Sequence, residues 1–171
     1  MLLRGVNVGG KSRVEMARLR ALLTSLGYRD VATYINSGNI VFASETAPEE
    51  ARIARAMQDE FGLEVPMLIL SAADILAIAS AIPEDWTNNY TEQKSDVLYL
   101  FDEVNSAEII ERIRPRPEFE DMFYVNHAVL TRIARKNQTK SSLLKLMGTD
   151  LYKQMTIRNV TTARKLAEMV K

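Results

Sequence analysis

Apolar residues in the first third of the chain alternate between strand-like runs and helical spacing. Met1–Val6 is a short apolar run that predicts a strand, and apolar positions between 14 and 26 recur at helical spacing until a glycine. Val31–Ile35 and Ile40–Ala43 are β-branched and aromatic runs, and the turn residues 36–39 between them predict a hairpin. The order so far is strand, helix and hairpin.

A second helix and a fourth strand complete this unit. Pro48 opens a helix with an apolar stripe at every fourth residue, and Val65–Leu70 predicts a strand that Pro66 assigns to a sheet edge. Ser71, with an aspartate three residues on, caps a further helix that stops at Pro83. The sequence therefore predicts a βαββαβ unit followed by a helix.

After an aperiodic stretch at 84–95, the same order recurs. Val97–Phe101 predicts a strand, and Phe119–Val125 with Ala128–Ile133 predicts a hairpin. Further elements are predicted as helices at 106–113 (capped by Asn105), 140–146 and 161–170, and as a strand at 154–157. We expect an α+β fold of two tandem ferredoxin-like (βαββαβ) subdomains, each followed by a helix. The expected bounds are 1–83 and 96–171, joined by a linker at 84–95 in which Trp86 is packed.

Composition narrows the function classes. Apolar residues make up 47% and charged residues 26% of the 171 residues, the balance of a globular protein with a core. The absence of cysteine excludes thiol catalysis, thiolate metal sites and disulfides, and the single histidine, His127, excludes a multi-histidine metal site. No metal site is predicted and the cofactor is left unknown, while His127 is expected in an exposed hairpin turn without a catalytic role. No apolar run reaches the ~20 residues of a membrane span and Met1–Gly10 is no secretory signal, so we expect a cytoplasmic protein without membrane contact.

Charge is balanced overall but uneven along the chain. Lysine plus arginine equals aspartate plus glutamate at 22 each, yet residues 131–171 carry a net charge of +8. This basic part either neutralises the acidic part or forms an anion-facing surface. We prefer the first interpretation, because a sequence pI near 6.6 argues against a dedicated duplex-binding domain. The surface of the second interpretation consists of Arg132, Arg135, Lys136, Lys140, Lys145 and Arg158.

Two loops of the first unit are predicted to emerge at the same end of its sheet. Right-handed crossovers and the ferredoxin-like order place the second hairpin strand beside the first strand. The loop Asn7–Lys11 and the hairpin tip Asn36–Asn39 then lie together, beside the N-terminus of the first helix. Paired glycines allow close backbone approach and Lys11 adds a charge, so these parts suit an anion.

Residues 5–12 also match the G-x-x-x-x-G-K-[ST] phosphate-binding pattern, and Val97–Asp102 resembles the magnesium-holding strand of such proteins. The predicted context contradicts a nucleoside-triphosphate site, because a P-loop belongs to a parallel sheet and here the helix leads into a hairpin. That function is kept as a minor alternative. A purely structural interpretation needs no ligand, since the glycines suit tight turns and Ser12 with Glu15 suits a capping box.

Four stretches of the chain resemble the bacterial family known as domain of unknown function 1697. They are residues 2–11, Met16 with Leu19-Arg20, residues 34–42 and Thr156–Asn159, in the same order over essentially the whole chain. The resemblance implies two α+β subdomains and brings no established activity, substrate or cofactor. Relatives have other residues after Lys11, so Ser12 is incidental. Relatives also have a few more residues before the first strand, so we expect either a short first strand or a start that is assigned late. The polar residues that the resemblance marks, without roles, are Arg4, Asn7, Gly9, Gly10, Lys11, Asn36, Ser37, Gly38, Asn39, Arg158 and Asn159.

These residues define the site hypothesis, a small phosphate- or carboxylate-bearing ligand held by Lys11, the glycine backbone and the hairpin tip. Arg158 would close the site, Arg4 would form an ion pair or contact the ligand, and Asn159 would cap the last helix. The alternatives are a nucleic-acid-binding domain, disfavoured by the weakly aromatic strand 40–43, and a protein-interaction module using the basic part. No acid–base pair indicates a reaction, so whether the protein is an enzyme is left open.

Overall fold

The computed structural model describes residues 1–9 and 13–171, in an α+β fold with two four-stranded antiparallel sheets. Gly10, Lys11 and Ser12, two of them predicted site residues, lie outside the described residues. The chain divides into two compact units, Met1–Leu70 and Ser71–Lys171. None of the helices formed by the described residues is long and apolar enough to cross a lipid bilayer.

The first unit contains one antiparallel sheet and two helices. Its strands lie in the order β2-β3-β1-β4. The elements are β1 (Leu2–Leu3), α1 (Met16–Ser25), β2 (Arg29–Tyr34), β3 (Asn39–Ala43), α2 (Glu50–Phe61) and β4 (Met67–Leu68).

The two helices bury one face each in the core of this unit. Leu19 and Leu23 of α1 pack in one cluster with Ile53 and Met57 of α2 and with Ile40 of β3, and each is at most 1% exposed. Fully burying such a side chain stabilises the fold by about 1.5–3 kcal/mol. The helical spacing of apolar residues in the sequence is therefore the source of this core.

Three local expectations for the first unit need correction. The strand expected at Met1–Val6 ends at Leu3, because Gly5 turns the backbone into the left-handed region with φ of 74°. The strand expected at Val65–Leu70 covers only Met67–Leu68, although its position at the sheet edge is confirmed. The capping box expected from Ser12 and Glu15 would place Glu15 inside the first turn of α1, but Glu15 is the N-cap residue, and Ser12 itself lies outside the described residues.

The second unit contains the other antiparallel sheet, with strands in the order β6-β7-β5-β8. In both sheets, strands counted along the chain lie in the order second, third, first and fourth. The elements are α3 (Ala72–Ser80), β5 (Gln93–Leu100), α4 (Ile109–Ile113), β6 (Glu120–Val125), β7 (Ala128–Ala134), α5 (Leu143–Leu146), α6 (Asp150–Lys153), β8 (Met155–Asn159) and α7 (Val160–Met169), with 3₁₀ helices at Asp102–Val104 and Arg135–Lys140.

Helix α3 lies in the second compact unit, whereas the sequence grouped it with the first half of the chain. The predicted capping box is confirmed, since the Ser71 side chain accepts from the Asp74 N–H and the Asp74 carboxylate accepts from the Ser71 N–H. Helix α3 packs against α7. The boundary between the two compact units therefore lies after Leu70. The expected bounds 1–83 and 96–171 describe folding units and stay a prediction.

Two predicted helices of the second unit are shorter than expected. The helix expected at 106–113 begins at Ile109, and the one expected at 140–146 covers only Leu143–Leu146, after a 3₁₀ helix that ends at Lys140. Both hairpin strands and the last helix are confirmed within two residues of their predicted starts. The packed position predicted for Trp86 is also confirmed, because its side chain is 3% exposed and contacts the ring of Phe123.

Candidate functional site

The loop after β1 leaves the sheet through left-handed backbone. Gly5, Asn7 and Gly9 have φ of 74°, 57° and 64°. A Cβ atom on either glycine would meet no atom within 4 Å, so glycine serves the backbone conformation here and not close packing. Asn7, Val8 and Gly9 are exposed. This loop therefore offers accessible main chain close to the end of β1.

The Asn7 carboxamide holds this loop against the hairpin between β2 and β3. Its Nδ2 donates to the carbonyl oxygens of Val14 at 2.8 Å and Asn36 at 2.7 Å, and its Oδ1 accepts from the Val14 N–H at 2.9 Å. Val14 lies two residues before the start of α1. One side chain thus brings together the loop, the approach to the first helix and the hairpin tip.

The hairpin tip is supported from inside the unit. Strands β2 and β3 close through the four residues 35–38, with Tyr34 paired to Asn39. Asn39 is fully buried, and its Nδ2 donates to the Tyr34 carbonyl at 3.1 Å and to the Ser37 hydroxyl at 2.9 Å. The Leu3 N–H donates to the Gly38 carbonyl at 2.8 Å. Gly38 and Asn39 therefore shape the tip from the buried side.

The predicted site residues of the first unit differ in what they present to solvent. Gly9 and Asn36 are exposed, whereas Arg4 and Ser37 are partly buried. Arg4 directly follows β1, and its backbone N–H donates to the Pro66 carbonyl at 2.9 Å. The bend at Gly5 means that Arg4 is not inside a long strand as expected. The exposed parts of the site are thus the backbone near Gly9 and the side of the tip at Asn36.

Two apolar residues of this region were missed by the sequence analysis. Val8 is 67% exposed, and Ile35 is 53% exposed with φ of 49°. Ile35 was expected to end a strand, but it is the first residue of the turn. The signal that could have found both is an apolar residue directly beside turn-forming asparagines and glycines.

Arg158 and Asn159 lie in the second unit, at the end of β8. Asn159 Oδ1 accepts from the Thr162 N–H at 2.8 Å, so the expected cap of the last helix is confirmed. Arg158 is 8% exposed, and its Nη1 donates to the Thr156 hydroxyl at 2.9 Å and the Ile157 carbonyl at 2.8 Å. Its guanidinium is therefore a buried group of the second sheet.

Burial dominates the electrostatics of this sheet. Loss of solvation lowers the pKa of Arg158 to about 10, and the neighbouring Tyr99 opposes that shift. Desolvation likewise raises the pKa of the Tyr99 hydroxyl. Tyr99 and Thr156 are directly paired across β5 and β8, which places these polar groups on one face. The arrangement is a buried polar cluster.

Arginines of the basic part hold the segment between α3 and β5. Arg132 binds Asp121 at 2.6 Å and Asp85 at 2.9 Å, and its guanidinium lies 5.4 Å from the Trp86 ring centre. Arg164 donates to the carbonyl oxygens of Trp86 and Pro83 at 2.8 and 2.9 Å. The ion pairs of Arg132 are the kind of contact that charge neutralisation within the chain predicts.

Arg135 holds the same segment farther along. Its Nε donates to the Asn89 carbonyl at 2.6 Å and its Nη2 to the Asn88 side chain at 3.2 Å. Arg132, Arg135 and Arg158, all named for an anion-facing surface, are therefore bonded within the second unit.

An asparagine also ties the hairpin of the second unit. Asn105 Oδ1 accepts from the Tyr124 hydroxyl and from the His127 N–H, both at 2.9 Å, and its Nδ2 lies 2.9 Å from His127 Nδ1. Because Oδ1 is the acceptor in the first two contacts, Nδ2 is the donor in the third. The expected helix-capping role of Asn105 is wrong, and His127 is partly buried and not exposed as expected.

The sheet around β1 differs from that of a P-loop protein. β1 pairs antiparallel with both β3 and β4, whereas the phosphate-binding loop of those proteins follows a strand in a parallel sheet. The pairing supports the sequence argument against a nucleoside-triphosphate site at 5–12.

Comparison with known proteins places the chain in a family. The model of the family described as "Protein of unknown function (DUF1697)" matches residues 1–130. The chain belongs to this family. The matched range includes the loop after β1 and the hairpin tip, and it ends before Arg158 and Asn159. The DUF1697 description names no reaction or ligand.

A solved structure from the comparison has the same fold. It is described as the structure of the conserved bacterial protein SP0830 from Streptococcus pneumoniae, and it matches with a TM-score of 0.78 and 29% sequence identity. The match covers 99% of this chain and 96% of that chain, so this DUF1697 member shares its architecture over the whole length. No curated protein matches the chain.

Proposed function

We propose that this protein binds a small anionic ligand, bearing a phosphate or a carboxylate, at the loop after β1 and the tip of the β2–β3 hairpin. The observation that carries the proposal is the Asn7 carboxamide, which joins the loop, the approach to α1 and the hairpin tip through three hydrogen bonds. The junction holds the exposed backbone of the loop beside the exposed side of the hairpin tip, so that one ligand can contact both. We assign no reaction to the site.

The chemistry of the junction favours an anion. Helix α1 begins at Met16 after the N-cap Glu15, and among the described residues no side chain caps its first N–H groups, which leaves N–H donors at this end. The sequence adds Arg4, Lys11 and Arg13 against the single acid Glu15 between residues 1 and 15. In this proposal, Lys11 and the backbone around Gly9 and Gly10 contact the anion, and Asn36 and Ser37 border it.

Asn7, Gly38 and Asn39 have a supporting role in the proposal. Their side chains or backbone bond within the unit and so fix the loop and the tip in place. Arg4, which is partly buried, is proposed to border the ligand on the side of the site nearest β1. Arg158 and Asn159 are left out of the ligand contacts, because the bonds given above explain them as parts of β8 and the start of α7.

We also infer that the chain consists of two tandem ferredoxin-like subdomains that arose by duplication. The shared strand order of the two sheets supports this interpretation. The asparagine that follows the first strand of each sheet and bonds to the hairpin of the same unit supports it as well. A duplicated scaffold with unlike loops is suited to one ligand site in the first unit.

The proposal is tested by thermal unfolding with a panel of anions and oligonucleotides, comparing the native chain with Lys11→Ala. A ligand present at 100 times its Kd adds about 2.7 kcal/mol of stability, which raises the midpoint by roughly 5–10 °C in a chain of this size. We expect a phosphate- or carboxylate-bearing compound to give such a shift in the native chain and a much smaller one in Lys11→Ala.

Arg55→Ala is the matched control. Arg55 is exposed on α2 in the same unit, and its replacement removes the same charge. It should leave the shift unchanged. Equal shifts in the native chain and in Lys11→Ala would contradict the proposed site, and a shift given by oligonucleotides alone would favour the nucleic-acid alternative.

A further inference from the structure

The two loops of the proposed site carry apolar side chains that face solvent. Val8 and Ile35 are the only exposed large hydrophobic residues among the described residues of the first unit. Val8 directly follows Asn7 and Ile35 directly precedes Asn36, and these two asparagines are joined by a hydrogen bond of 2.7 Å. The exposed apolar surface of this unit is therefore concentrated at the junction proposed to bind an anion.

Folding of the hairpin does not explain the residue at position 35. Ile35 has φ of 49°, in a region that β-branched side chains rarely adopt and that asparagine or glycine adopts at lower cost. Its side chain is 53% exposed and gains little from burial in the unit. Both backbone strain and hydration thus disfavour isoleucine here in the free protein. Contact with an apolar part of a ligand would offset these costs.

We propose that the ligand is an organic anion with an apolar group, such as an aromatic phosphate or carboxylate, and not a simple or sugar-like anion. This inference rests on the proposed function. The charged group binds at the site proposed above, while the apolar group lies against Val8 and Ile35. Burying this surface by contact with one ring strengthens binding by about 10-fold relative to the bare anion.

Calorimetric titration with two matched probe pairs tests the inference. The probes are inorganic phosphate with phenyl phosphate, and acetate with phenylacetate. We expect at least one aromatic member to bind the native chain about 10-fold more tightly than its simple partner. In Ile35→Asn and Val8→Ser the ratio should fall to about 1–3.

Three controls separate ligand contact from altered folding. Ile35→Val keeps an apolar side chain and should keep the ratio. Arg114→Asn relieves a left-handed residue (φ of 57°) in the second unit and should leave the ratio unchanged. Urea unfolding of Ile35→Asn should show stability equal to or above that of the native chain, so that weaker binding is not a result of unfolding.

The outcomes distinguish the two proposals. If simple anions bind at a site that depends on Lys11 but the aromatic partners bind no better, the inference is overturned and the proposed function stands. A ratio that persists in both Ile35→Asn and Val8→Ser also overturns the inference. If no member of either pair binds, the proposed function and the inference fail together.

Discussion

Asp96 is an acid whose surroundings oppose its ionisation. It lies on β5, is 7% exposed, and is paired in register with Asn159 on one side and Thr131 on the other. Desolvation raises the pKa of its carboxyl group, and Lys94, with Nζ at 3.5 Å, and Arg135 only partly offset this effect. The folded state therefore binds a proton at Asp96 more tightly than the unfolded state does.

The sign of this shift predicts a pH dependence of stability. A raised pKa in the folded state makes the contribution of Asp96 most favourable below its unfolded pKa of about 3.9, and it is lost as the pH rises through the folded pKa. Asp96→Asn removes the ionisation. The free energy of unfolding of this variant, relative to the native chain, should therefore be higher at pH 7 than at pH 3.5, as measured by urea titration at both values.

Asp150 serves as a comparison, because its pKa is shifted in the direction opposite to that of Asp96. Its hydrogen bond from Lys153 lowers the pKa of its carboxyl group at an exposed position. Asp150→Asn should change stability only slightly, and any change should be a loss at pH 7 relative to pH 3.5. If the relative stability of Asp96→Asn also fell between pH 3.5 and pH 7, desolvation would not be the dominant effect at Asp96.

At the scale of elements, contact between β1 and the hairpin depends on glycine at position 38. Gly38 has φ of 74°, and a Cβ there would lie 2.6 Å from Leu3 Cβ and 2.8 Å from Val6 Cγ2. Gly38→Ala combines left-handed strain of about 1–2 kcal/mol with overpacking of about 1–3 kcal/mol. We expect a loss of about 2–5 kcal/mol in the free energy of unfolding, measured by urea denaturation.

Gly62→Ala separates the left-handed strain from the overpacking. Gly62 caps α2 with φ of 68°, nearly that of Gly38, but a Cβ there would meet no atom within 4 Å. This variant should lose only the strain part. Equal losses in the two variants would show that the close approach of Leu3 and Val6 relaxes easily, contrary to the packing argument.

The elements that the sequence predicts well are those whose periodicity matches a buried face. The spacing of Leu19 with Leu23 and of Ile53 with Met57 places both members of each pair on one face of a helix, and both helices form. The short strands β1 and β4 could not be bounded in this way. Their ends depend on left-handed backbone at Gly5 and on pairing across the sheet, and apolar pattern alone contains neither.

The same contrast holds for the candidate site. The adjacency of the loop and the hairpin tip follows from strand order and crossover handedness, which the βαββαβ pattern predicts. The roles of individual side chains did not follow from the pattern. Asn39 could be recognised as buried only once Tyr34 was known to pair with it, and Ile35 as a turn residue only once β2 was known to end one residue earlier.

At the scale of the whole molecule, each unit has an asparagine that follows the first strand of its sheet and bonds to the hairpin of the same unit. Asn7 follows the first strand of its sheet and binds the tip of the adjacent hairpin, and Asn105 does so in the second unit. The surroundings then differ. The tip of the first unit presents the exposed Asn36 and the apolar Ile35, whereas in the second unit Tyr124 and His127 bond to Asn105 beside the exposed Asn126. Because the two tips differ, the proposed ligand site is assigned to the first unit alone.

The last prediction concerns the hydrogen bonds of Asn7 and of Asn105, each of which we expect to stabilise only its own hairpin. Asn7→Gly removes the carboxamide while allowing the left-handed backbone at position 7. Asn105→Ala removes the other carboxamide, and the φ of −77° at position 105 suits alanine. Each change should lower the free energy of unfolding by about 1–3 kcal/mol, because it deletes partners of partly buried polar groups.

Hydrogen–deuterium exchange gives a direct readout, since the Val14 N–H donates to Asn7 and the His127 N–H donates to Asn105. Faster exchange should appear at Val14 only in Asn7→Gly and at His127 only in Asn105→Ala. Unchanged exchange at either amide in its own variant would show that the side chain does not hold its hairpin, and faster exchange at both amides in one variant would show that these hydrogen bonds act on the whole chain.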